Sequence, residues 1–387
     1  MTKKQTKTGP SKTFDRPVRV MHVVFSLEPG GLENGIVNIS NGLDREQFET
    51  TIICLERTGA FAERLQDDVN VMCLRKKPKF SVHTLRELRR TIRTIQPDVI
   101  HTHNLGPLMY TVMARFLAFS RIGILHGEHA ELQGGDLTLK RLVQRRFFYR
   151  FVRRVHTVSV SLRDQLIDLN LSGKQPEAIL NGVDSERFRK GDDNAAMREA
   201  AGIPQTAEVI GMVGRFSPTK RHLLMLEAFS LIASHRKTCF LLLLGDVGSA
   251  KGRILDEIER HSFGDRIIWP GHQNDPAPWY QAMDVLAMPS SNEGLSNAML
   301  EAMSCEIPCI AHPACGASEV IQDGVNGVLK PIDTAEQLAN AIEALLENRG
   351  QLTQLGKAAR DSAVKRFSLH SMVSRYQDLF LRVAFKD

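Results

Sequence analysis

The chain has 387 residues, enough for two domains of ordinary size. Hydrophobic residues make up 42% and charged residues 24%, a balance that excludes disordered, collagen-like and membrane-embedded classes. The net charge of +6 is modest for this length, and no run approaches the ~20 apolar residues that span a bilayer.

Residues 1–17 carry Lys3, Lys4, Lys7 and Lys12 with almost no apolar residue. They lack the apolar stretch of a secretory signal and are expected to form a solvated tail. Six cysteines lie in apolar contexts without CxxC spacing, as reduced core thiols of a cytoplasmic protein would. Cys305, Cys309 and Cys315 are close in sequence, but Pro308 and Pro313 intervene and no neighbouring pair has metal-ligand spacing.

From Val18 on, β-branched runs alternate with amphipathic helical patterns, the signature of parallel sheets covered by helices. The first series of predicted strands is Val18–Ser26, Phe48–Cys54, Val69–Leu74, Asp98–His101, Ile122–His126 and Val155–Val158. The second is Glu208–Gly214, Thr238–Gly245, Arg266–Pro270, Asp284–Pro289, Ile307–Ala311 and Gly327–Leu329. A polar stretch from Asp184 to Ala207 separates them, so the chain reads as two facing doubly wound, Rossmann-like α/β domains over 18–190 and 205–366. A final helix, within 367–387, is long enough to return to the first domain.

Positive charge gathers in Arg75–Arg93 and Leu139–Arg154. The second stretch interleaves Arg and Lys with Leu, Val, Phe and Tyr at helical spacing, as a helix on an anionic membrane surface does. The alternative is a helix packed on its own domain with a solvated basic face. No nucleic-acid motif accompanies the charge, and no nucleic-acid partner is expected.

Functional side chains of open parallel sheets collect beyond the carboxyl ends of the strands. Gly30 and Gly31 follow the first strand and open a helix, where free amides and the positive helix end suit phosphate; a tight turn explains them equally well. His126 ends the fifth strand, with His129 beyond it and His101 and His103 at the end of the strand before. Their spacing permits a metal, but no paired Cys or HExxH helix supports one.

Arg215 and Lys220 follow the strand Glu208–Gly214 and together suit a diphosphate, the first as a planar fork and the second as a point charge. The segment SSNEGLSNAMLE, Ser290 to Glu301, is the most specific. With a helix starting near Leu295, the eight residues from Glu293 to Glu301 cover about 12 Å at ~1.5 Å each, about the length of a sugar–diphosphate–ribose unit. The amides of Gly294, Leu295 and Ser296 would face the phosphates, and each carboxylate would take sugar hydroxyls at one end.

GGLEN, HGEH, NGVD, GRFSPTK, LLLLGD, PGH and EGLSNAMLEAMSCEIPCIA occur in the order and spacing of the retaining GT-B glycosyltransferases with the Glu-x7-Glu signature (group 1, family 4), which the chain resembles from Val18 on. The first half looks most like exopolysaccharide and exosortase-associated sugar transferases. The resemblance implies a nucleoside diphosphate sugar donor, a glycan or lipid-linked acceptor, retention of configuration and no metal or other cofactor. It places Gly31 at the diphosphate, His126 at the transferred sugar, Arg215 and Lys220 on the leaving diphosphate, Glu293 on sugar hydroxyls, Glu301 on the ribose and the backbone around His272 at the base. LLLLGD continues as VGSAKG, a departure that puts Gly248 in doubt as a phosphate neighbour. Rival readings are a nucleotide-sugar 2-epimerase, a glycoside hydrolase using Glu293 and Glu301, and a sugar-nucleotide-binding scaffold.

Overall fold

The structure is a computed structural model that describes residues 16–171, 176–191, 194–292, 294–313 and 315–385. Among them are two parallel sheets. The first is built from β1 (Val18–Val24), β2 (Phe48–Cys54), β3 (Asn70–Cys73), β4 (Val99–His103), β5 (Gly123–Glu128), β6 (Arg154–Thr157) and β7 (Glu177–Ala178) in the order β3-β2-β1-β4-β5-β6-β7. The second contains β8 (Glu208–Val213), β9 (Cys239–Leu244), β10 (Ile267–Ile268), β11 (Val285–Met288), β12 (Cys309–Ala311) and β13 (Val328–Leu329) in the order β10-β9-β8-β11-β12-β13.

Strand order reverses between β1 and β4 in one sheet and between β8 and β11 in the other, which is where doubly wound sheets open a crevice for ligands. The fold is the expected pair of Rossmann-like domains. The predicted strands match within a few residues, except that β4 and β5 run two residues further, to His103 and Glu128, and that β7 is an addition. β7 is a two-residue ladder of Glu177 and Ala178 beside β6, too short and polar for any periodic signal.

β1 and β5 are buried along almost their whole length, as central parallel strands covered on both faces are. The helix Leu369–Phe385 supplies one cover: Met372, Val373, Tyr376, Leu379, Phe380 and Val383 pack against Val18, Val20, Val99 and Leu125 of the first sheet. Inside the polar stretch between the domains, the helix Asn194–Ala200 carries the buried Arg198, which donates to Asp284 Oδ2 at 2.9 Å and to three backbone carbonyls.

The domains touch through specific polar contacts. Both Glu319 carboxylate oxygens accept backbone N–H bonds from Val160 and Ser161, at 2.8 and 2.7 Å, capping the helix Val160–Asp168 of the opposite domain. Asn181 Nδ2 donates to the Leu295 carbonyl at 2.8 Å, and Asn297 Nδ2 to the Gly31 carbonyl at 3.1 Å. This last contact spans the mouth of the crevice.

Candidate active site

A cavity opens where the carboxyl ends of the two sheets face each other. Gly30 and Gly31 come from the turn after β1, Gly214, Arg215 and Lys220 from the turn after β8, and Gly245, Asp246 and Val247 from the turn after β9. Ser296, Asn297 and Glu301 enter from the helix after β11, and His272 from the loop after β10. The sequence-predicted residues Gly30, Gly31, Arg215, Lys220, His272, Ser296 and Glu301 are therefore brought together.

The backbone explains the cation pair. Gly214 has φ +157° and Gly245 φ +150°, and a Cβ at Gly245 would strike the Gly214 carbonyl, so the two strand ends approach more closely than side chains permit. The Lys220 side chain folds back over Gly214, its Nζ 3.6 Å from where a Cβ there would lie. Ser291 N donates to the Thr219 carbonyl at 2.9 Å, tying the loop after β11 to the turn that carries Lys220.

Glu301 stands on the helix Asn297–Ser304 and accepts the Tyr280 phenol proton at 2.8 Å. Burial raises its pKa, against the Tyr280 hydrogen bond and the nearby positive charges of Arg187 and Arg64. A carboxylate so placed has a lone-pair set facing the cavity with its orientation fixed from behind. Glu293 lies outside the described residues.

Three expectations change. The helix starts at Asn297 rather than near Leu295, so Gly294 and Leu295 belong to the preceding loop and do not wall the cavity. Gly294 packs on the His129 carbonyl, and the Leu295 carbonyl accepts from Asn181, so both residues lie against the opposite domain. His126 is also off the cavity wall, fully buried with Nδ1 2.9 Å from Thr102 Oγ1 and Nε2 3.5 Å from Glu128 Oε1. Its strand runs on for two residues, so the histidine lies inside the sheet rather than at its mouth. Gly248 presses on the Phe216 carbonyl and contributes nothing to the cavity.

Glu128 anchors that buried network. Burial raises its pKa, but hydrogen bonding and charge from His126, the Arg145 charge and a short Tyr149 hydrogen bond outweigh it and hold the carboxyl at about 2. Arg145 donates to Glu128 at 3.0 Å and to Asp136 at 2.9 Å.

Several wall residues carried no sequence signal. Phe61 and Arg64 come from a short 3-10 turn, Ala60–Arg64, with the Arg64 guanidinium 4.4 Å over the Phe61 ring and that ring 6.3 Å from His272. Together they form a partly aromatic wall at one end of the cavity. Arg187 closes the same end, paired with Asp275 at 2.7 Å. Glu33, in the first turn after Gly31, has its carboxylate against Gly30 beside Arg215, and burial raises its pKa. GGLEN showed the glycines; its glutamate folds back over them within the first helical turn.

His22, His101 and His103 form the metal-compatible group among the described residues, and no cysteine belongs to it. Cys305 and Cys309 are buried free thiols; the Cys315 side chain lies outside the described residues. The helix Leu139–Phe148 turns Arg145 inward and leaves Leu139, Val143 and Phe147 exposed, so its apolar stripe faces out. The same helix also packs inward through Leu142 and Phe148 and exposes Lys140, Arg141 and Arg146, so the alternative of a helix seated on its own domain with a solvated basic face fits it too.

Comparison with known proteins settles the family. The model of Glycosyltransferase Family 4 matches residues 29–187 and that of Glycosyl transferases group 1 matches residues 193–362. The chain is a group 1 glycosyltransferase of the GT-B fold. This glycosyltransferase is 26% identical to an N-acetyl-alpha-D-glucosaminyl L-malate synthase of Bacillus anthracis over 82% of its own length and 84% of the relative's. It is 23% identical to a UDP-Gal:alpha-D-GlcNAc-diphosphoundecaprenol alpha-1,3-galactosyltransferase of Escherichia coli, over 96% and 98%. Anabaena Alr3699/HepE, solved in complex with UDP-glucose, shares the fold at a TM-score of 0.83 and 20% identity, covering 94% of this glycosyltransferase and 99% of that chain. These relatives give the epimerase alternative no support.

Proposed function

We propose that the enzyme transfers a hexosyl unit from a nucleoside diphosphate sugar to a hydroxyl on a glycan or lipid-linked sugar, with retention, in cell-envelope or exopolysaccharide synthesis on the cytoplasmic side. The observation that carries this is the convergence of Arg215 and Lys220 with Glu301 on one cavity between the strand ends of two domains. In the step, the bond from the sugar anomeric carbon to the diphosphate breaks and one to the acceptor oxygen forms. The leaving diphosphate keeps the electron pair, and the acceptor proton passes to it or to solvent.

Negative charge builds on the diphosphate as that bond opens. Arg215 and Lys220 meet it from the β8 side, and the amides at Gly30 and Gly31 meet it from the helix start opposite. With two cations there, the transfer is proposed to need no metal. Glu301 holds ribose hydroxyls, and the wall of Phe61, Arg64 and His272 holds the base. Glu293 is proposed to hold the sugar hydroxyls.

The donor in the HepE complex and the donor named for the Escherichia coli relative make UDP-sugars the first to try. UDP-, GDP- and ADP-sugars are compared by thermal stabilisation and slow hydrolysis. One base is expected to stand out; no stabilisation by any of them contradicts the donor reading. Proton NMR of the product's anomeric coupling decides retention.

The acceptor domain carries a surface that fits a lipid-linked acceptor. Phe147 lies edge-on to Phe151 at 5.2 Å and Phe151 to Phe116 at 5.1 Å, and Leu139 and Val143 are exposed on the helix that carries Phe147, together with Lys140 and Arg141. We read this patch as a contact with an anionic membrane surface. No helix among the described residues is long and apolar enough to cross a membrane.

A further inference from the structure

The first sheet conceals a group of buried histidines that the transfer reaction does not use. His22 on β1 and His101 on β4 are register partners, and His103 lies two residues further on β4, on the same face as His101. All three are 0% exposed. One ring nitrogen from each lies within 4.8 Å of those of the other two.

A neutral imidazole has one N–H and one lone pair, and these three rings lie wholly inside the sheet, away from solvent. His22 Nδ1 is 3.1 Å from His103 Nε2, His103 Nδ1 is 2.9 Å from His129 Nε2, and His101 Nε2 is 2.7 Å from His156 Nε2. Two ring nitrogens, His22 Nε2 and His101 Nδ1, have no hydrogen-bond partner. Orphaned buried donors are rarer than orphaned acceptors, so the protons belong on the paired nitrogens. His22 Nδ1–H then donates to His103, His103 Nδ1–H to His129 and His101 Nε2–H to His156. Bare lone pairs remain on His22 Nε2 and His101 Nδ1.

We propose that His22, His101 and His103 bind one transition-metal ion of the Zn2+ class. Imidazole nitrogen without carboxylate selects Zn2+, Ni2+ or Cu2+ over Mg2+ and Ca2+. Binding takes lone pairs, so no imidazole loses a proton to solvent; the hydrogen bond from His22 Nδ1–H to His103 Nε2 is given up, and the metal bonds must outweigh the cost of leaving that buried N–H unpaired. His129 and His156 stand behind the ligands and fix ring orientation, as outer partners of metal-bound histidines do. The ion would tie β1 to β4 where strand order reverses. It is distinct from the cation pair Arg215 and Lys220, which belongs to the other domain, so it carries no leaving-group charge.

The test uses the full chain without a histidine tag, titrated with Zn2+ against a chromophoric chelator and with Co2+ in the visible range. One ion per chain is expected, with the visible Co2+ absorption of imidazole ligation at a coordination number below six, a higher melting temperature, and at least ~10-fold weaker binding in His101→Gln or His103→Gln. The exposed-surface variants His83→Gln and His235→Gln are expected to bind as the parent does. Because a core variant can misfold, the parent chain also decides: sub-stoichiometric uptake, or a Co2+ spectrum of octahedral oxygen coordination, overturns the proposal. So does loss of binding in the surface variants.

Discussion

The Tyr280 hydroxyl donates to Glu301 Oε2 at 2.8 Å, from a ring that is fully buried behind the cavity. The phenol aims the carboxylate, and burial makes its charge costly unless a ligand hydroxyl or the Arg64 and Arg187 charges meet it. Glu301→Ala is expected to weaken UDP-sugar binding by about 10- to 100-fold, the range for a hydrogen bond to a charged group. Tyr280→Phe, which leaves the carboxylate but frees it, is expected to cost several-fold. Calorimetric affinities unchanged in Glu301→Ala remove the ribose assignment.

Lys220 lies over Gly214 at the end of β8, on the wall of the cavity proposed to take the donor diphosphate. Lys220→Ala is expected to lower kcat by roughly 10²- to 10³-fold, in line with removal of one charge-stabilising donor, while the acceptor KM changes little. Initial rates over an acceptor series separate the two. A fall confined to KM moves Lys220 out of the chemical step. Activity is also expected to be the same with or without added Mg2+ or Mn2+.

Acid stability follows from the buried histidines. His22, His101, His103, His129 and His156 all have folded pKa values below the ordinary 6.5, with His22 at about 3 and His129 at about 4. Below pH 6.5 the unfolded chain takes up protons that the folded chain refuses, so stability falls as pH drops through that window. Glu128 adds to the loss further down: its folded value of about 2 lies below the ordinary 4.5, so its contribution is present above pH 4.5 and disappears toward 2. The melting temperature is expected to drop steadily from pH 6.5 to 4. A flat profile there means that the histidines are not buried as described.

The outward stripe of Leu139, Val143 and Phe147 predicts binding to vesicles containing anionic lipid, reduced by replacing all three with Ser and by raising salt. Flotation with and without phosphatidylglycerol reads it. Equal flotation of parent and variant leaves the patch without a membrane role.

Read residue by residue, the sequence was most informative where chemistry is local. Alternating β-branched runs and glycine turns placed the strands, because period and turn preference act over a few neighbours. Gly30, Gly31, Arg215, Lys220 and Glu301 were legible for the same reason: each follows a strand end, and strand ends face the crevice. The loop before the helix start at Asn297 is held by Asn181 and His129, which are distant in sequence.

Tertiary structure alone decided what strand register and domain contact control. Whether His126 faces the cavity depends on β5 continuing to Glu128, and Glu128 is held by Arg145 from a helix seventeen residues on. The meeting of His22 with His101 depends on the pairing of β1 with β4, and the cavity wall of Phe61, Arg64 and His272, closed by Arg187, on three separate segments folding together. Such convergence leaves no periodic trace in the chain, because it is fixed by packing between elements rather than by preference within them. The sequence by itself determined two facing doubly wound domains and the cations, glycines and glutamate of the cleft; the packing determined which histidines are withdrawn from it and which arginines complete it.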